Sequence, residues 1–325
     1  MVDKESKLNK IREFLLKKET MTKPEIADAL LVSRVTVNFL IEELLELDEV
    51  KEDGKEAVSY GRPSVLYKIK SENFQFLLLT FFEKNRKLVL NIKLIDGKRN
   101  LIDEYEEAFE DFCLENLIQI VGVVLKDCKD LKSIAISIPG KTVKGVVAVS
   151  WQNKFDKWDI VGAFRKNFDV PVFVENDANL ATIGFAQELN LSSENGIVGV
   201  YYPCGSRPGA SIFYNNQLLS GNDSLAGEVK YLPIFNMNKN DYTFNEEVEL
   251  LVEILKLYTI LLAPKYLLIH KSDLGQEYLD LLLNDQLEKT EVPLSPEIFV
   301  SEEFEKHNFE GLVWLVQQGV PYSIK

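Results

Sequence analysis

Cysteine and histidine are scarce in this chain, which has 3 Cys and 2 His among 325 residues. The odd cysteine count, without any C-x-x-C spacing, argues against a disulfide framework and against a thiolate zinc site. His270 and His307 have no ligand-like spacing and are expected to be surface or packing residues. The sequence therefore predicts no metal site, no cofactor and a reducing compartment such as the cytoplasm.

Long apolar runs and an excess of positive charge are also missing. No segment approaches the roughly 18 to 20 apolar residues of a membrane span, and the charged start does not resemble a signal peptide, so a soluble protein is expected. The net charge of −14 excludes nucleic-acid binding over the whole surface. Residues 1–70 are nearly neutral, with 13 basic and 14 acidic side chains, against 24 and 37 in residues 71–325. Any DNA contact must therefore be local.

The first seventy residues carry the pattern of a winged helix-turn-helix. Thr22-Lys23-Pro24-Glu25 is a capping box that opens a short second helix, and Ser33 can cap a third. The alternating stretch 50–69, which contains Gly54 and Gly61-Arg62-Pro63, predicts a two-stranded wing with Gly54 at its tip. We expect DNA contacts at the start of the third helix and around it, from Lys23, Ser33, Arg34, Thr36, Asn38 and Arg62. A small helical domain for protein contacts is the alternative.

Residues 71–325 alternate strands and helices and predict an α/β domain of two lobes, about 71–190 and 191–325. In the first lobe the strand before Glu175 ends in Val174-Glu175-Asn176-Asp177-Ala178-Asn179, and Leu225-Ala226-Gly227-Glu228 follows in the second. Carboxylates and carboxamides are groups that bind hydroxyls, so a polyol is the expected ligand. Asn176 and Asp177 could instead only cap the following helix.

These motifs resemble the ROK family, named for repressors, open reading frames and sugar kinases. Further matches are Ile138-Pro139-Gly140, Asn153 followed by Trp158, and Gly61-Arg62-Pro63 at the junction of the two domains. The resemblance implies an actin-like (ribonuclease H-like) two-lobed sugar-kinase fold behind an N-terminal winged helix. It also implies ligand contacts from Asn153, Asn176, Asp177 and Glu228, with Asp177 in the place of the kinase base, and it puts Tyr231 where the family has a sugar-contacting histidine.

The chain departs from the family where a kinase would bind nucleotide. The expected Asp-Gly-Gly-Thr-like loop reads Thr80-Phe81-Phe82-Glu83-Lys84-Asn85, without glycine. The second glycine loop falls in residues 202–210, where Pro203 and Pro208 remove backbone donors. Lys230-Tyr231 replaces the family's Gly-His, and its cysteine cluster is absent. We therefore expect neither sugar-kinase activity nor a zinc site.

The sequence thus predicts a cytoplasmic DNA-binding regulator, most simply a repressor, of carbohydrate metabolism genes. A non-catalytic ROK domain would bind a sugar or sugar derivative, and a homodimer or higher homo-oligomer would bind a double-stranded DNA operator. One alternative keeps DNA binding but replaces the sugar by a protein partner, with a vestigial pocket. Another is an active ATP-dependent sugar kinase with Asp177 as the base.

Overall fold

The computed structural model describes residues 4–56, 63–84, 87–202, 207–235, 242–271 and 296–320. The helices are α1 Lys4–Lys18, α2 Lys23–Leu30, α3 Arg34–Glu46, α4 Leu114–Val124, α5 Ile160–Asn167, α6 Asp177–Glu188, α7 Phe244–Leu262 and α8 Phe304–Val316. The strands are β1 Thr20–Thr22, β2 Val50–Glu56, β3 Ser64–Ile69, β4 Gln75–Lys84, β5 Lys87–Ile95, β6 Leu101–Ala108, β7 Leu131–Ile138, β8 Gly140–Val143, β9 Val146–Ser150, β10 Val172–Asn176, β11 Ile197–Tyr201, β12 Gly209–Tyr214, β13 Gln217–Leu218, β14 Tyr266–His270 and β15 Glu297–Ser301.

Helices α1 to α3 and strands β1 to β3 form a winged helix-turn-helix, as predicted. Thr22 and Glu25 make the reciprocal bonds of the capping box, and the Ser33 hydroxyl accepts from the Thr36 amide. The wing sheet has the order β1-β3-β2, so a short strand missed by the sequence pattern extends the hairpin. The prediction for Gly54 was wrong: it lies inside β2 at a register shift with φ of +94°, a backbone conformation that glycine adopts without strain.

Ten of the remaining strands form two five-stranded sheets with the same topology, and β8 and β9 pair as a separate two-stranded sheet. The first has the order β10-β7-β4-β5-β6 and the second β13-β12-β11-β14-β15. In each sheet three consecutive strands, β4 to β6 or β11 to β13, pair antiparallel. A later strand, β7 or β14, pairs in parallel with the first of the three, and the next, β10 or β15, pairs in parallel with that strand. This duplication is the actin-like, two-lobed arrangement expected from the sequence.

Helices α6 and α8 cross between the two sheets at a contact that only glycine allows. A Cβ atom on Gly184 would lie 1.8 Å from the backbone oxygen of His307, and one on Gly311 would lie 2.1 Å from that of Leu180. Helix α6 also packs on β11 and β12 of the second lobe, while α8 packs on β4 and β7 of the first. The two helices therefore join the lobes through closely packed backbone.

The N-terminal module shares its hydrophobic core with the first lobe. One cluster contains Leu8, Ile26 and Leu40 of the module together with Phe74, Phe76 and Ile95 of the lobe and Leu312, Val313, Leu315 and Val316 of α8. Across the predicted boundary at residue 70, Asn73 donates to the Asp48 carbonyl at 2.8 Å. The winged helix-turn-helix module is thus packed against the same helix that joins the lobes.

Among the helices within the described ranges, none combines the length and apolar character needed to cross a lipid bilayer.

Candidate ligand cleft and nucleic-acid interface

A cavity of about 370 Å³ lies between the lobes, where the N-terminus of α6 meets the segment that follows β12. Asn176, Asp177, Glu228 and Tyr231 all line it, so four of the five residues predicted to bind ligand share one cavity. Asn153 does not line this cavity. It is exposed, with φ of +59°, in the turn after β9, so in this structure it does not join the other four.

Asn176 caps helix α6 with its side chain. Its Oδ1 accepts from the backbone amides of Ala178 at 3.0 Å and Asn179 at 3.2 Å, and its Nδ2 donates to the Gly140 carbonyl at 2.8 Å. The structural role considered for this residue is therefore present. These bonds hold the motif against the end of β7 and orient the next residue, Asp177.

Asp177 lies at the base of the cleft and is partly buried. Its carboxylate accepts from the Ala178 amide at 2.9 Å and from Nδ2 of Asn176 at 3.0 Å. Burial outweighs these bonds and raises the pKa of Asp177 to about 7. Burial likewise raises the pKa of its neighbour Glu175. An acid that titrates near neutrality can either accept a hydrogen bond from a hydroxyl or donate one to it.

Glu228 forms an ion pair between the lobes. Its carboxylate lies 2.8 Å from Nζ of Lys141 on β8 and 2.7 Å from Nζ of Lys230. Burial disfavours ionisation, but the bonds from the two lysines outweigh it and lower the pKa of Glu228. A second link crosses beside it, since the Ser224 hydroxyl donates to the Thr142 carbonyl at 3.1 Å.

Three basic residues of the cavity wall, Lys141, Arg207 and Lys230, were missed by the sequence prediction. Lys141 directly follows the Ile138-Pro139-Gly140 motif, and Lys230 directly precedes Tyr231, so proximity to the motifs was the available signal. Tyr231 is 62% exposed at the rim, and the ammonium of Lys230 lies 5.3 Å from the centre of its ring. The cavity wall therefore carries these three basic side chains beside three acidic ones, Glu175, Asp177 and Glu228.

Residues 80–84 of the predicted first phosphate loop lie in strand β4, and Asn85 falls outside the described residues. Strands β4 and β5 pair without a register shift as far as Lys84 opposite Lys87, and the Thr80 hydroxyl donates to Oδ1 of Asn308 at 3.1 Å. Asn308 also donates to the Asp177 carbonyl at 3.0 Å and to the Ser137 hydroxyl at 2.9 Å. This buried amide, which no sequence signal marked, connects α8 to the cleft.

The place of the second phosphate loop lies partly outside the described residues, which resume at Arg207. Before it, Tyr202 is buried, with the Lys271 ammonium 4.7 Å from its ring centre. Lys271 also pairs with Glu247 at 2.9 Å. The Lys271–Glu247 ion pair and the Tyr202 ring therefore lie next to the segment where the sequence analysis placed the second phosphate loop.

The residues predicted to contact DNA, which lie on α3 and near it, differ in their exposure to solvent. Arg34 and Asn38 are exposed, whereas the Ser33 and Thr36 hydroxyls lie 2.8 Å apart and serve the helix cap. Lys23 is partly buried, and its ammonium lies 5.4 Å from the centre of the Tyr67 ring. Arg62 falls outside the described residues. Val35 and Phe39, which are 63% and 68% exposed, lie on the same helix.

The two histidines, expected at the surface or in packing, meet in the interior. Nε2 of His270 lies 2.8 Å from Nδ1 of His307, and burial lowers the pKa of both. Nε2 of His307 lies 3.2 Å from a Glu188 oxygen, and Glu303 is close enough to complete a group of three metal-type ligands. Lys306 contacts both carboxylates, at 2.9 and 3.1 Å. Its ammonium already supplies the positive charge that a metal ion would bring.

Comparison with known proteins agrees with this architecture. Residues 90–240 match the family described as ROK. The xylose repressor of Bacillus subtilis is 23% identical over 239 residues, which are 70% of this chain and 61% of that protein. The transcriptional dual regulator NagC of Escherichia coli is 19% identical over 221 residues, 65% of this chain and 53% of NagC. The chain thus spans less than two thirds of the length of these relatives.

Two solved structures share the fold. A ROK family transcriptional regulator described as a homolog of the E. coli MLC protein superposes with a TM-score of 0.69 at 16% identity, over 98% of this chain and 97% of that one. A ROK family glucokinase from Streptomyces griseus, in complex with glucose and AMPPNP, superposes with a TM-score of 0.55 at 12% identity. The superposition covers 75% of this chain and 99% of that one. The first likeness includes the N-terminal module. The match to the ROK family thus extends over residues 90–240, and the two solved structures show that the chain shares their fold.

Proposed function

We propose that the protein is a DNA-binding transcriptional regulator of carbohydrate genes, controlled by a sugar or sugar derivative in the cleft between its lobes. The observation that carries this proposal is the shared core of the winged helix, the first lobe and α8. Such a core gives a ligand in the cleft a physical route to the DNA-binding surface. The names of the xylose repressor and NagC support the same assignment.

The DNA contact would be made by α3. Its N-terminal turns present Arg34 and Asn38, which can bond to phosphates and base edges when the helix lies in the major groove. Because the module has no excess of basic residues, each chain would bind weakly by charge alone. A homodimer in the cytoplasm, with two recognition helices on a symmetric operator, would supply the missing affinity.

The cleft would bind the effector. Its volume of about 370 Å³ falls within the range of roughly 300 to 1,000 Å³ that is usual for small-molecule sites. Asp177 and Glu228 face it from opposite lobes and would accept hydrogen bonds from ligand hydroxyls. A ligand that bridges them would favour closure of the lobes.

Helix α8 would relay that closure. Asn308 near its start bonds to the Asp177 carbonyl, and its last turns lie in the cluster that contains the winged-helix core. A shift of α8 would therefore reposition the module and, in a dimer, change the spacing of the two recognition helices.

Phosphoryl transfer is not part of the proposal. A kinase depends on backbone amides and a metal ion to position and neutralise the phosphates. Strand pairing over residues 80–84 of the predicted first loop and the hydrogen bond between the Thr80 and Asn308 side chains support this view. The Asp177 carboxylate would then bind ligand without acting as a base.

Replacing Arg34 by alanine is expected to weaken binding to a DNA sequence selected from a randomised duplex library with the full chain. A lost base or phosphate contact from a recognition helix costs about 1 to 3 kcal/mol, or roughly 5- to 150-fold in Kd. The measurement is fluorescence anisotropy at two salt concentrations. Arg165→Ala, an equal charge change on an exposed residue of α5, is the matched control and is expected to leave Kd within about twofold.

Equal losses in the two variants would show that only overall charge matters, and would remove α3 as the recognition helix. Failure of the library to yield any enriched sequence would favour the alternative of a winged helix used for protein contacts.

A further inference from the structure

Two large apolar side chains, Val35 and Phe39, lie largely exposed on the outer face of α3. They are four residues apart in the helix, so the two side chains are neighbours and form one apolar pair. The residues of α3 that pack inside the module are different ones, namely Val37, Leu40, Ile41 and Leu44. The apolar pair is therefore not needed for the core of the module and is accessible to a binding partner.

The charge pattern of α3 indicates which partner suits the apolar pair. Residues 34–39, the first turns of the helix, contain no acidic side chain, and the exposed polar residues beside the pair are Arg34 and Asn38. The later turns carry the exposed acids Glu42 and Glu46, which the phosphates of DNA would repel. The first turns are therefore the part of α3 that can enter a DNA groove, and the apolar pair projects from these turns.

The major groove of DNA presents one apolar group to such a pair, the 5-methyl group of thymine. Apolar side chains contact this methyl group, whereas the polar edges of the bases require hydrogen-bonding side chains. An apolar contact also suits this module for a second reason. Its basic and acidic residues are nearly balanced, so contacts with phosphates alone would give little affinity.

We propose that Val35 and Phe39 contact the 5-methyl group of a thymine in the major groove and thereby select thymine at that position of the operator. This inference rests on the proposed function and specifies which base the recognition helix reads. Phe39 provides the larger part of the apolar surface. Arg34 and Asn38 supply polar contacts beside it, and the apolar pair adds affinity that does not depend on salt.

The test replaces single thymines by uracil in the DNA sequence that the full chain selects from the randomised library. Uracil keeps every hydrogen-bonding group of thymine and lacks only the 5-methyl group. At one thymine position or more, we expect uracil to weaken binding of the wild type by about three- to fivefold, which is the effect of removing one methyl group from an apolar contact. Fluorescence anisotropy measures the Kd for each duplex.

Three variants of the full chain locate the contact. Phe39→Ala should weaken binding to the thymine duplex about fivefold or more, and it should bind the uracil duplex as tightly as the thymine duplex, because the side chain that contacts the methyl group is gone. Phe39→Leu keeps an apolar side chain and should retain most of the uracil effect. Val123→Ala removes an exposed apolar side chain from α4 instead, so it should keep both the wild-type Kd and the wild-type uracil effect.

The salt dependence of binding distinguishes this contact from an effect of charge. Loss of a phosphate contact reduces the slope of log Kd against log salt concentration by about 1. Phe39→Ala removes no such contact, so its affinity relative to the wild type should be the same at low and moderate salt. A loss that shrinks at the higher salt concentration would contradict an apolar contact.

The possible results separate this inference from the proposed function. Specific DNA binding that no uracil substitution weakens would overturn the inference and leave the DNA-binding regulator in place. A uracil effect of equal size in the wild type and in Phe39→Ala would also overturn it, because another group would then contact the methyl group. Failure of the library to yield any enriched sequence would contradict both and favour a protein contact for the apolar pair. A uracil effect that is lost in Phe39→Ala would support both.

Discussion

Replacing Asp177 by asparagine is expected to increase the free energy of unfolding at pH 8 by about 2 to 3 kcal/mol. Burial raises the pKa of Asp177 to about 7 from its ordinary value of 3.8. A shift of that size corresponds to about 4 kcal/mol of destabilisation once the group is ionised. Part of the gain is offset because a negative charge in the first turn of a helix is favourable. Asparagine keeps an acceptor for the Ala178 amide and carries no charge.

The pH dependence has a defined sign. Below pH 4 the carboxyl group is protonated in both states, so the variant should show little gain. Between pH 4 and 7 the unfolded chain releases its proton while the folded chain retains it, so the wild type loses stability relative to the variant as pH rises. Above pH 7 the difference should be constant.

Chemical denaturation of both proteins at pH 4, 6 and 8 measures this difference. Asp169→Asn, at an exposed position, is the control and should change stability by less than about 0.5 kcal/mol at each pH. A variant less stable than the wild type at pH 8 would show that the carboxylate supports the fold. The expected gain means instead that an unfavourable charge is kept in the cleft, which is typical of a group that serves binding.

The second large effect is expected at the crossing of α6 and α8. Gly184→Ala and Gly311→Ala should each destabilise the protein by about 3 kcal/mol or more, because the added Cβ would lie 1.8 or 2.1 Å from a backbone oxygen and the helices would have to separate. Gly122→Ala is the matched control. This glycine lies inside α4 with no atom within 4 Å of a new Cβ, so alanine should stabilise by about 0.5 to 1 kcal/mol.

Denaturant unfolding of the three variants tests the close approach of the two helices. Opposite signs for Gly122→Ala and the two crossing variants are the expected result. If all three substitutions stabilise the protein alike, α6 and α8 do not pack as closely as described. The proposed relay from the cleft to the winged helix would then lose its rigid connection.

The sequence predicted those parts of the fold that depend on local patterns. The capping box at Thr22, the cap at Ser33 and the apolar strand before Glu175 each specify a nearby structure, and each is present. The short strand β1 was not predicted, because its three residues acquire strand geometry only by pairing with β3. Strand β15 was missed as well, and it pairs in parallel with the distant strand β14.

Of the residues that line the site, the sequence predicted those that belong to recognisable motifs. Asn176, Asp177 and Glu228 were found because they stand in recognisable runs, and the structure brings them to one cavity. Lys141 is marked only by its position next to a motif and Asn308 by no signal, since their roles depend on the approach of Glu228 and Asp177 from other parts of the chain. Interactions between lobes depend on tertiary structure, which residue spacing does not specify.

The most direct test of the central claim is the affinity of the full chain for its selected DNA with and without a saturating sugar ligand, which calorimetric titration of the full chain with a series of sugars would identify. We predict that the ligand changes the Kd for DNA severalfold or more in the wild type, and that Arg34→Ala weakens DNA binding while leaving ligand binding intact. An unchanged Kd for DNA at saturating ligand would contradict the account, because the cleft would then bind a sugar without controlling the winged helix.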